Sequence, residues 1–325
     1  MPAMTSPVRS EFDLIHRFFT RPAKTAVLGV GDDCALLAPP PGEQLALSTD
    51  MLVAGRHFFA DCAPEAVGHK TLAVNLSDLA AMGAQPRAFL LALALPNADA
   101  DWLQPFANGL FALADRFGCE LIGGDTTQGP LNLAVTVIGS VPPGQALRRD
   151  GAQPGDDVWV SGTLGDARLA LGALRGEWTL APAALAATRR QLEMPVPQIE
   201  LGLALRGVAT AAIDVYDGLL GDLGHILAAS RLGATLDADA LPRSAELAQQ
   251  PRDRQRHCAL AGGDDYQLCF TAAVAARDQI AAISKQLALP LTRIGTTTSD
   301  RRLAVVDATG AQISGDFASF DHFAS

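Results

Sequence analysis

Short apolar runs of strand length alternate with longer segments of helical spacing along most of this chain, which restricts it to an α/β or α+β architecture. Strand character falls at 45–48, 89–95, 131–141, 158–161, 210–215 and 266–270. Helical spacing falls at 64–82, 102–117, 164–174, 183–192, 197–206, 219–229 and 274–287. Ser10 ahead of Glu11, Phe12, Ile15, Phe18 and Phe19 predicts a capped N-terminal helix, and Gly83 predicts the stop after 64–82. The stretch from Arg148 to Asp157 gathers charge, glycine and proline between apolar runs, which predicts a boundary between domains at 1–150 and 151–325. A chain of 325 residues, 49% of them apolar, can fill two such cores.

Charge narrows the function. The formal net charge of −10 excludes nonspecific nucleic-acid binding, which needs basic surface to displace counterions. Lys24, Lys70 and Lys285 are the only lysines, so an acidic chain handling phosphates needs another source of positive charge, and bound metal ions are the obvious one. Five cysteines without C-x-x-C spacing argue against a zinc site or a disulfide framework and fit a reducing cytosol. Residues 1–12 lack the apolar core of a secretion signal, and the greasiest stretch, 88–95, is far short of the ~20 residues a bilayer requires. The expectation is a cytoplasmic protein without nucleic-acid or membrane partners.

Several apolar runs lead into aspartate: Asp32-Asp33 after 28–31, Asp50 after 47–49, Asp125 after 121–124, and Asp214 with Asp217 after 212–213. Taken singly, an aspartate at a strand end is a turn former or helix cap. Asp78, inside the apolar helical segment 75–81, has no turn role open to it, and burying it is costly unless it is paired or metal-bound. Gly-Gly-Asp-Thr-Thr (123–127) and Gly-Gly-Asp-Asp (262–265) place carboxylates directly after paired glycines. The set predicts a polynuclear divalent-metal site, since magnesium takes carboxylates, waters and substrate phosphates as oxygen ligands. Walker, protein-kinase and dinucleotide signatures are absent. Gly162 to Asp166, ahead of a helix, could present backbone N–H groups to an anion or be an ordinary helix entry.

The stretches GVGDDCALL (29–37), STDMLVAGRH (48–57), KTLAVNLSDLAAMGAQP (70–86), LIGGDTTQGP (121–130), DLGHI (222–226), 262–270 and Phe320 to Phe323, in this order along nearly the whole chain, resemble the thiamine-monophosphate kinases of the aminoimidazole ribonucleotide synthetase-like superfamily. The resemblance implies a two-domain fold of that type, with an N-terminal sheet forming a homodimer and a C-terminal α/β domain. It implies ATP-dependent, in-line phosphorylation of thiamine monophosphate to thiamine diphosphate with several Mg²⁺ ions. By position, Asp33, Ser48, Thr49, Asp50, Asp78, Asp125, Asp214 and Asp217 match the magnesium ligands, with Asp50, Asp78 and Asp125 acting catalytically through the metal. Gly124, Asp125, Arg149 and Tyr216 match nucleotide contacts, and His57, Asp264 and Phe320 match substrate contacts. In the plainer reading His57 is a half-buried histidine, Arg149 a solvated charge and Phe320 a packing anchor. Tyr216 stands where the family has serine, Asp264 where it has glutamate, and Gln267 replaces a second glutamate. Other ATP-using members of the superfamily, such as aminoimidazole ribonucleotide synthetase, selenide dikinase and the hydrogenase-maturation dehydratase, are the nearest alternatives. A non-catalytic nucleotide- or metal-binding dimer is the reading from another class.

Overall fold

A computed structural model describes residues 10–313, so Phe320 and the residues around it lie outside the described part. The chain forms two compact units, one of 1–79 with 84–144, the other of 80–83 with 145–325.

The first unit opens with helix α1 (Glu11–Leu14), capped as expected by the Ser10 hydroxyl accepting the Asp13 N–H, and runs on as a π-type turn through Phe19. It continues with β1 (Gln44–Val53), α2 (Pro64–Ala81), β2 (Gln85–Leu95), α3 (Ala100–Phe117), β3 (Glu120–Gln128) and β4 (Asn132–Val141). The sheet order is β1-β4-β2-β3, antiparallel except for the β2–β3 pair, which α3 connects. Helix α2 is buried along nearly its whole length, polar residues Lys70, Thr71, Asn75 and Ser77 included, which is why its sequence shows little amphipathic contrast. It meets α3 at backbone distance. A Cβ on Gly68 would lie 2.0 Å from the Phe106 carbonyl oxygen, and one on Gly109 would lie 1.9 Å from that of Glu65. Both Asp50 and Asp125 sit inside their strands. The expectation that they follow strand ends is corrected: β1 and β3 run on past them and pair with β4 and β2 through Val53 and Gln128.

The second unit is a six-stranded sheet in the order β10-β7-β9-β5-β8-β6. Its strands are β5 (Asp157–Ser161), β6 (Ala211–Asp214), β7 (Gly233–Asp237), β8 (Leu268–Ala272), β9 (Leu291–Thr298) and β10 (Leu303–Val306). Helices α4 (Asp166–Leu174), α5 (Pro182–Glu193), α6 (Ile199–Ala204), α7 (Leu219–Ser230), α8 (Ala245–Ala248), α9 (Arg252–Ala261) and α10 (Arg277–Leu287) lie between them in sequence. Leu219, Leu223, Ile226 and Leu227 of α7 join Val158, Val160, Ile213 and Leu236 in one core, the i, i+4, i+7, i+8 stripe that the sequence spacing predicts. Strands β7, β9 and β10 and helices α8 and α9 escape the sequence reading. They are short or polar, and β9 reads Leu-Thr-Arg-Ile-Gly-Thr-Thr-Thr, with no alternation to mark it.

At the start of β5, Asp157 is 1% exposed and accepts two hydrogen bonds from Arg277 (2.6 and 2.8 Å) and one from Arg293 (2.6 Å). The Arg277 hydrogen bonds, joined by the one from Arg293, hold the Asp157 carboxyl below its ordinary value of 3.8. A depressed folded value means that this stabilisation is present above the unfolded value and is lost as pH falls through the folded one. Asp157→Asn is therefore expected to lower stability at neutral pH by about 1–2 kcal/mol. Its melting temperature should also fall less than that of the unsubstituted protein as pH drops below about 4. Parallel acid limbs for the two proteins in a thermal-melt series would show that this triad carries no pH-dependent stability.

Candidate functional site

Period-two alternation sorts the residues of β1 onto two faces. Ser48 and Asp50 share the half-buried face with Leu52, and two residues of α2 reach them there. The Ser48 hydroxyl donates to Asp78 Oδ2 at 2.5 Å, and the Asp50 N–H donates to Asn75 Oδ1 at 3.0 Å. Asn75 and Asp78 are three apart on a helix, so one helical face serves both strand positions. The mid-helix carboxylate singled out by sequence is thus only partly buried and is held by the hydroxyl of another expected ligand. Thr49 points the other way. Its hydroxyl hydrogen-bonds Thr136 on β4 at 2.8 Å, so the Thr49 side chain does not join Ser48, Asp50 and Asp78.

Asp125 is exposed on β3, and Gly124 before it has φ +145, where a Cβ would sit 1.9 Å from the Leu91 carbonyl oxygen. The close approach that demands this glycine is therefore to β2. Asp33 is exposed in the loop after Gly31, its N–H bonded to Asp32 Oδ1 at 3.0 Å. His57 closes a turn after β1: its Nδ1 accepts the Val53 N–H at 2.9 Å, and Lys70 Nζ donates to its carbonyl at 3.3 Å. An Nδ1 that accepts leaves Nε2–H as the donor of a neutral ring.

In the second unit, Asp214 ends β6, 6% exposed, and Asp217 follows in the loop before α7. Asp222, in the first turn of α7, gathers that loop: its Oδ2 accepts the N–H groups of Tyr216, Asp217 and Gly218 at 2.9, 3.1 and 3.0 Å. Burial first, then the charge of Asp214, pushes the Asp222 carboxyl up to about 7. The sequence reading quoted Asp222 only within the DLGHI stretch and gave it no site role, although an acidic residue in the first turn of a helix after glycine is the available signal.

A second buried carboxylate, Asp265, accepts the Gly165 N–H with both oxygens, at 3.0 and 2.8 Å. The helix entry at Gly162 to Asp166 therefore receives the protein's own carboxyl group. No local pattern could reveal this, because 100 residues separate the partners. Burial raises the Asp265 carboxyl well above its ordinary value, against the opposing hydrogen bonds from Gly165 and Ala167.

Asp264 and Tyr266, on either side, both take left-handed backbone (φ 65 and 50), which costs on the order of 1 kcal/mol or more at each residue. They are bolted to the β6 loop by Asp264 N–H to Tyr216 O at 2.8 Å and Tyr266 N–H to Val215 O at 2.9 Å. The Tyr266 hydroxyl donates to Asp264 Oδ1 at 2.9 Å, and its fully buried ring meets that of Tyr216 with centroids 5.9 Å apart. The tyrosine at 216 is thus accommodated by packing on Tyr266. Gln267 Oε1 accepts from the Ser161 hydroxyl at 2.7 Å, a structural task on β5. Arg149 is exposed, its carbonyl tied to the Ser230 hydroxyl at 2.8 Å.

The expected metal ligands offer carboxylate and hydroxyl oxygens only, a hard donor set that fits magnesium rather than zinc. Among the described residues no three His, Cys, Asp or Glu side chains form a group that could hold a metal ion, so the expected cage is not a preformed, all-protein one. Asp214 and Asp217 nevertheless crowd their charge onto the buried Asp222, an arrangement that a bound cation relieves.

Residues 31–141 match the N-terminal domain, and 153–308 the C-terminal domain, of the AIR synthase related proteins. The chain is 45% identical over 320 residues to the thiamine-monophosphate kinase of Salmonella typhimurium, covering 97% of this chain and 98% of that one. The crystal structure of thiamine-monophosphate kinase from Stenotrophomonas maltophilia K279a superposes with a TM-score of 0.84 at 50% identity, over 92% of this chain and 95% of that chain. AaThiL complexed with AMPPCP and TMP gives a TM-score of 0.76 at 29% identity, over 88% and 89% of the two chains.

Proposed function

We infer the function from family membership: this chain belongs to the AIR synthase related proteins and, within them, to the thiamine-monophosphate kinases. It is a phosphotransferase that uses ATP to convert thiamine monophosphate to thiamine diphosphate. The observation that carries this is the near-full-length identity to thiamine-monophosphate kinases, reinforced by a fold shared with a relative complexed with an ATP analogue. The direct test incubates the chain with ATP, Mg²⁺ and thiamine monophosphate. Thiamine diphosphate and ADP are expected in equal amounts, and ADP without thiamine diphosphate would overturn the reading.

The finer reading assigns roles to residues. The acceptor is an ionised phosphate, so the γ-phosphoryl group can move in line from ATP to an acceptor oxygen without a base to activate it. Asp33, Asp50, Asp78 and Asp125 of the first unit, with Ser48 and Thr49, and Asp214 and Asp217 of the second, would hold magnesium, which supplies the positive charge that the polyphosphates need. The chain's own contribution is orientation. Ser48 aims Asp78, Asn75 fixes the strand at Asp50, and Asp222 holds the loop that carries Tyr216 and Asp217. Gly124, Arg149 and Tyr216 belong to the nucleotide side in this reading, and His57, Asp264 and Phe320 to the acceptor side.

Tyr266→Phe tests the acceptor side. Without the hydroxyl that steadies Asp264, KM for thiamine monophosphate should rise roughly five- to tenfold with kcat little changed. An unchanged KM would detach Asp264 from acceptor binding.

The homodimer belongs to the same proposal. Leu45, Leu47, Met51 and Val53 stand exposed on the β1 face opposite Ser48 and Asp50, an apolar stripe suited to burial against a second copy. Leu47→Asp should then yield monomers in sedimentation. A cytoplasmic location is supported by five cysteines that stand as thiols outside any disulfide, four of them buried. Among the described residues no helix is long and apolar enough to cross a membrane.

A further inference from the structure

A segment with no helix or strand of its own must still find partners for its backbone N–H groups. The segment 24–36, which carries Asp33, has no fully buried residue, so core packing does not fix it. Its downstream part closes on itself. Val27 and Leu28 donate to the Leu36 carbonyl at 2.8 and 3.2 Å, and the Leu36 N–H returns to the Leu28 carbonyl at 2.9 Å. Asp32 and Asp33 stand at the tip of the loop so formed, directly after Gly31 with its φ of 125.

The upstream part is gripped by one side chain. The N–H groups of Lys24 and Thr25 donate to both carboxylate oxygens of Glu120 at 3.0 to 3.1 Å, and that of Ala26 reaches Oε2 at 3.5 Å. Three successive N–H groups aimed at one carboxylate form an anion-binding concavity, filled here by the chain's own glutamate. Burial opposes the charge on Glu120, but the hydrogen bonds from Thr25, Lys24 and Ala26 outweigh it and hold the carboxyl below its ordinary value of 4.5. Glu120 is the first residue of β3, the strand that carries Asp125 further along. It therefore ties the base of the Asp33 loop to the strand that bears Asp125. Nearer the N-terminus Arg21 makes a separate tie to α3, donating to both Asp115 oxygens at 3.0 Å, with its guanidinium 3.7 Å from the Phe111 ring centroid.

We propose that Glu120 is a positioning residue for metal binding: by anchoring 24–26 to β3, it sets where Asp33 stands relative to Asp125. The inference rests on the metal roles that the kinase reading gives these aspartates, and adds to them a residue that the reading does not include.

Two measurements on the full chain test it, neither dependent on turnover. Mn²⁺ takes the same oxygen ligands as Mg²⁺, and electron paramagnetic resonance reads its affinity for the chain in the presence of ADP. Glu120→Ala should weaken Mn²⁺ about tenfold, the scale for losing a group that orients a ligand, and Glu120→Gln, which keeps one acceptor oxygen, should weaken it less. Glu120→Ala combined with Asp33→Asn should bind Mn²⁺ no more weakly than Asp33→Asn alone, because a residue acting through Asp33 then has nothing left to position. Arg21→Ala breaks only the exposed neighbouring ion pair and should leave the affinity within about twofold. Trypsin reports on the clamp itself. The Lys24–Thr25 bond lies inside it, so Glu120→Ala should be cut there about tenfold faster than the unsubstituted chain. The melting temperature without metal should change little, since Lys24 and Thr25 are exposed and water can take over their N–H groups.

Unaltered Mn²⁺ affinity in Glu120→Ala, additive losses in the double variant, or an equal loss in Arg21→Ala would overturn the positioning role and leave Asp33 a metal ligand. If Asp33→Asn itself leaves Mn²⁺ affinity unaltered, the metal role of Asp33 falls and the positioning role with it. A chain that forms no thiamine diphosphate yet shows the non-additive Mn²⁺ losses would overturn the kinase reading and uphold the role of Glu120.

Discussion

Asp125→Asn is expected to lower kcat for thiamine diphosphate formation by at least about a hundredfold while leaving the melting temperature unchanged. The asparagine keeps the shape and one oxygen of the side chain and removes its charge. Asp125 is exposed on β3, so nothing in the packing of the first unit depends on that charge. Its loss should therefore register in catalysis alone. Raising Mg²⁺ should recover part of the activity, because a weakened ligand shifts metal affinity before it abolishes binding. Near-normal turnover at ordinary millimolar Mg²⁺ would remove Asp125 from the proposed metal-holding set. A large drop in melting temperature would mean that the residue is structural after all.

The neighbouring position behaves in the opposite way. Gly124→Ala should destabilise the chain by about 3 kcal/mol or more, because it adds a Cβ 1.9 Å from the Leu91 carbonyl oxygen at a backbone φ of +145 that a side chain rarely adopts. For a protein of this size that corresponds to a fall in melting temperature of roughly 10 °C. The strain cannot be relieved by a rotamer change, since the obstructing atom belongs to the β2 backbone and the strand would have to move. Activity should fall with the folded fraction and with the displacement of Asp125. A melting temperature within a degree or two of the unsubstituted protein would show that β3 can draw away from β2 at little cost. Two adjacent residues of one Gly-Gly-Asp motif thus separate into a structural requirement and a chemical one, a division that the motif read as a string cannot make.

How much was legible varied with the range of the interaction that fixes each feature. Helices α2, α3 and α7 were readable to within a few residues, because apolar spacing and terminal signals such as Gly83 lie inside the segment they define. The polar strand β9 and the four-residue strand β10 were not, since their strand character comes from hydrogen bonds to β5 and β7 rather than from a recognisable pattern of their own. The same holds within the site. Asp78 drew notice as a charge in an apolar helix, and its partner proved to be Ser48, 30 residues away. Thr49 was grouped with its neighbours in sequence, yet strand geometry turns its side chain to the far face.

By itself the sequence determined the alternating architecture, the aspartates available for metal chemistry, and the resemblance that led to the kinase. All three depend on residue identity and local spacing. Only the tertiary structure decided which carboxylates are committed to buried backbone donors. Asp265 and Asp222 look like the others in sequence but are spent on backbone N–H groups of α4 and of the β6 loop. The physical reason is that a buried donor left without a partner costs about as much as a lost hydrogen bond. The fold therefore assigns some of its acids to satisfy such donors, and that assignment is made between segments far apart in the chain.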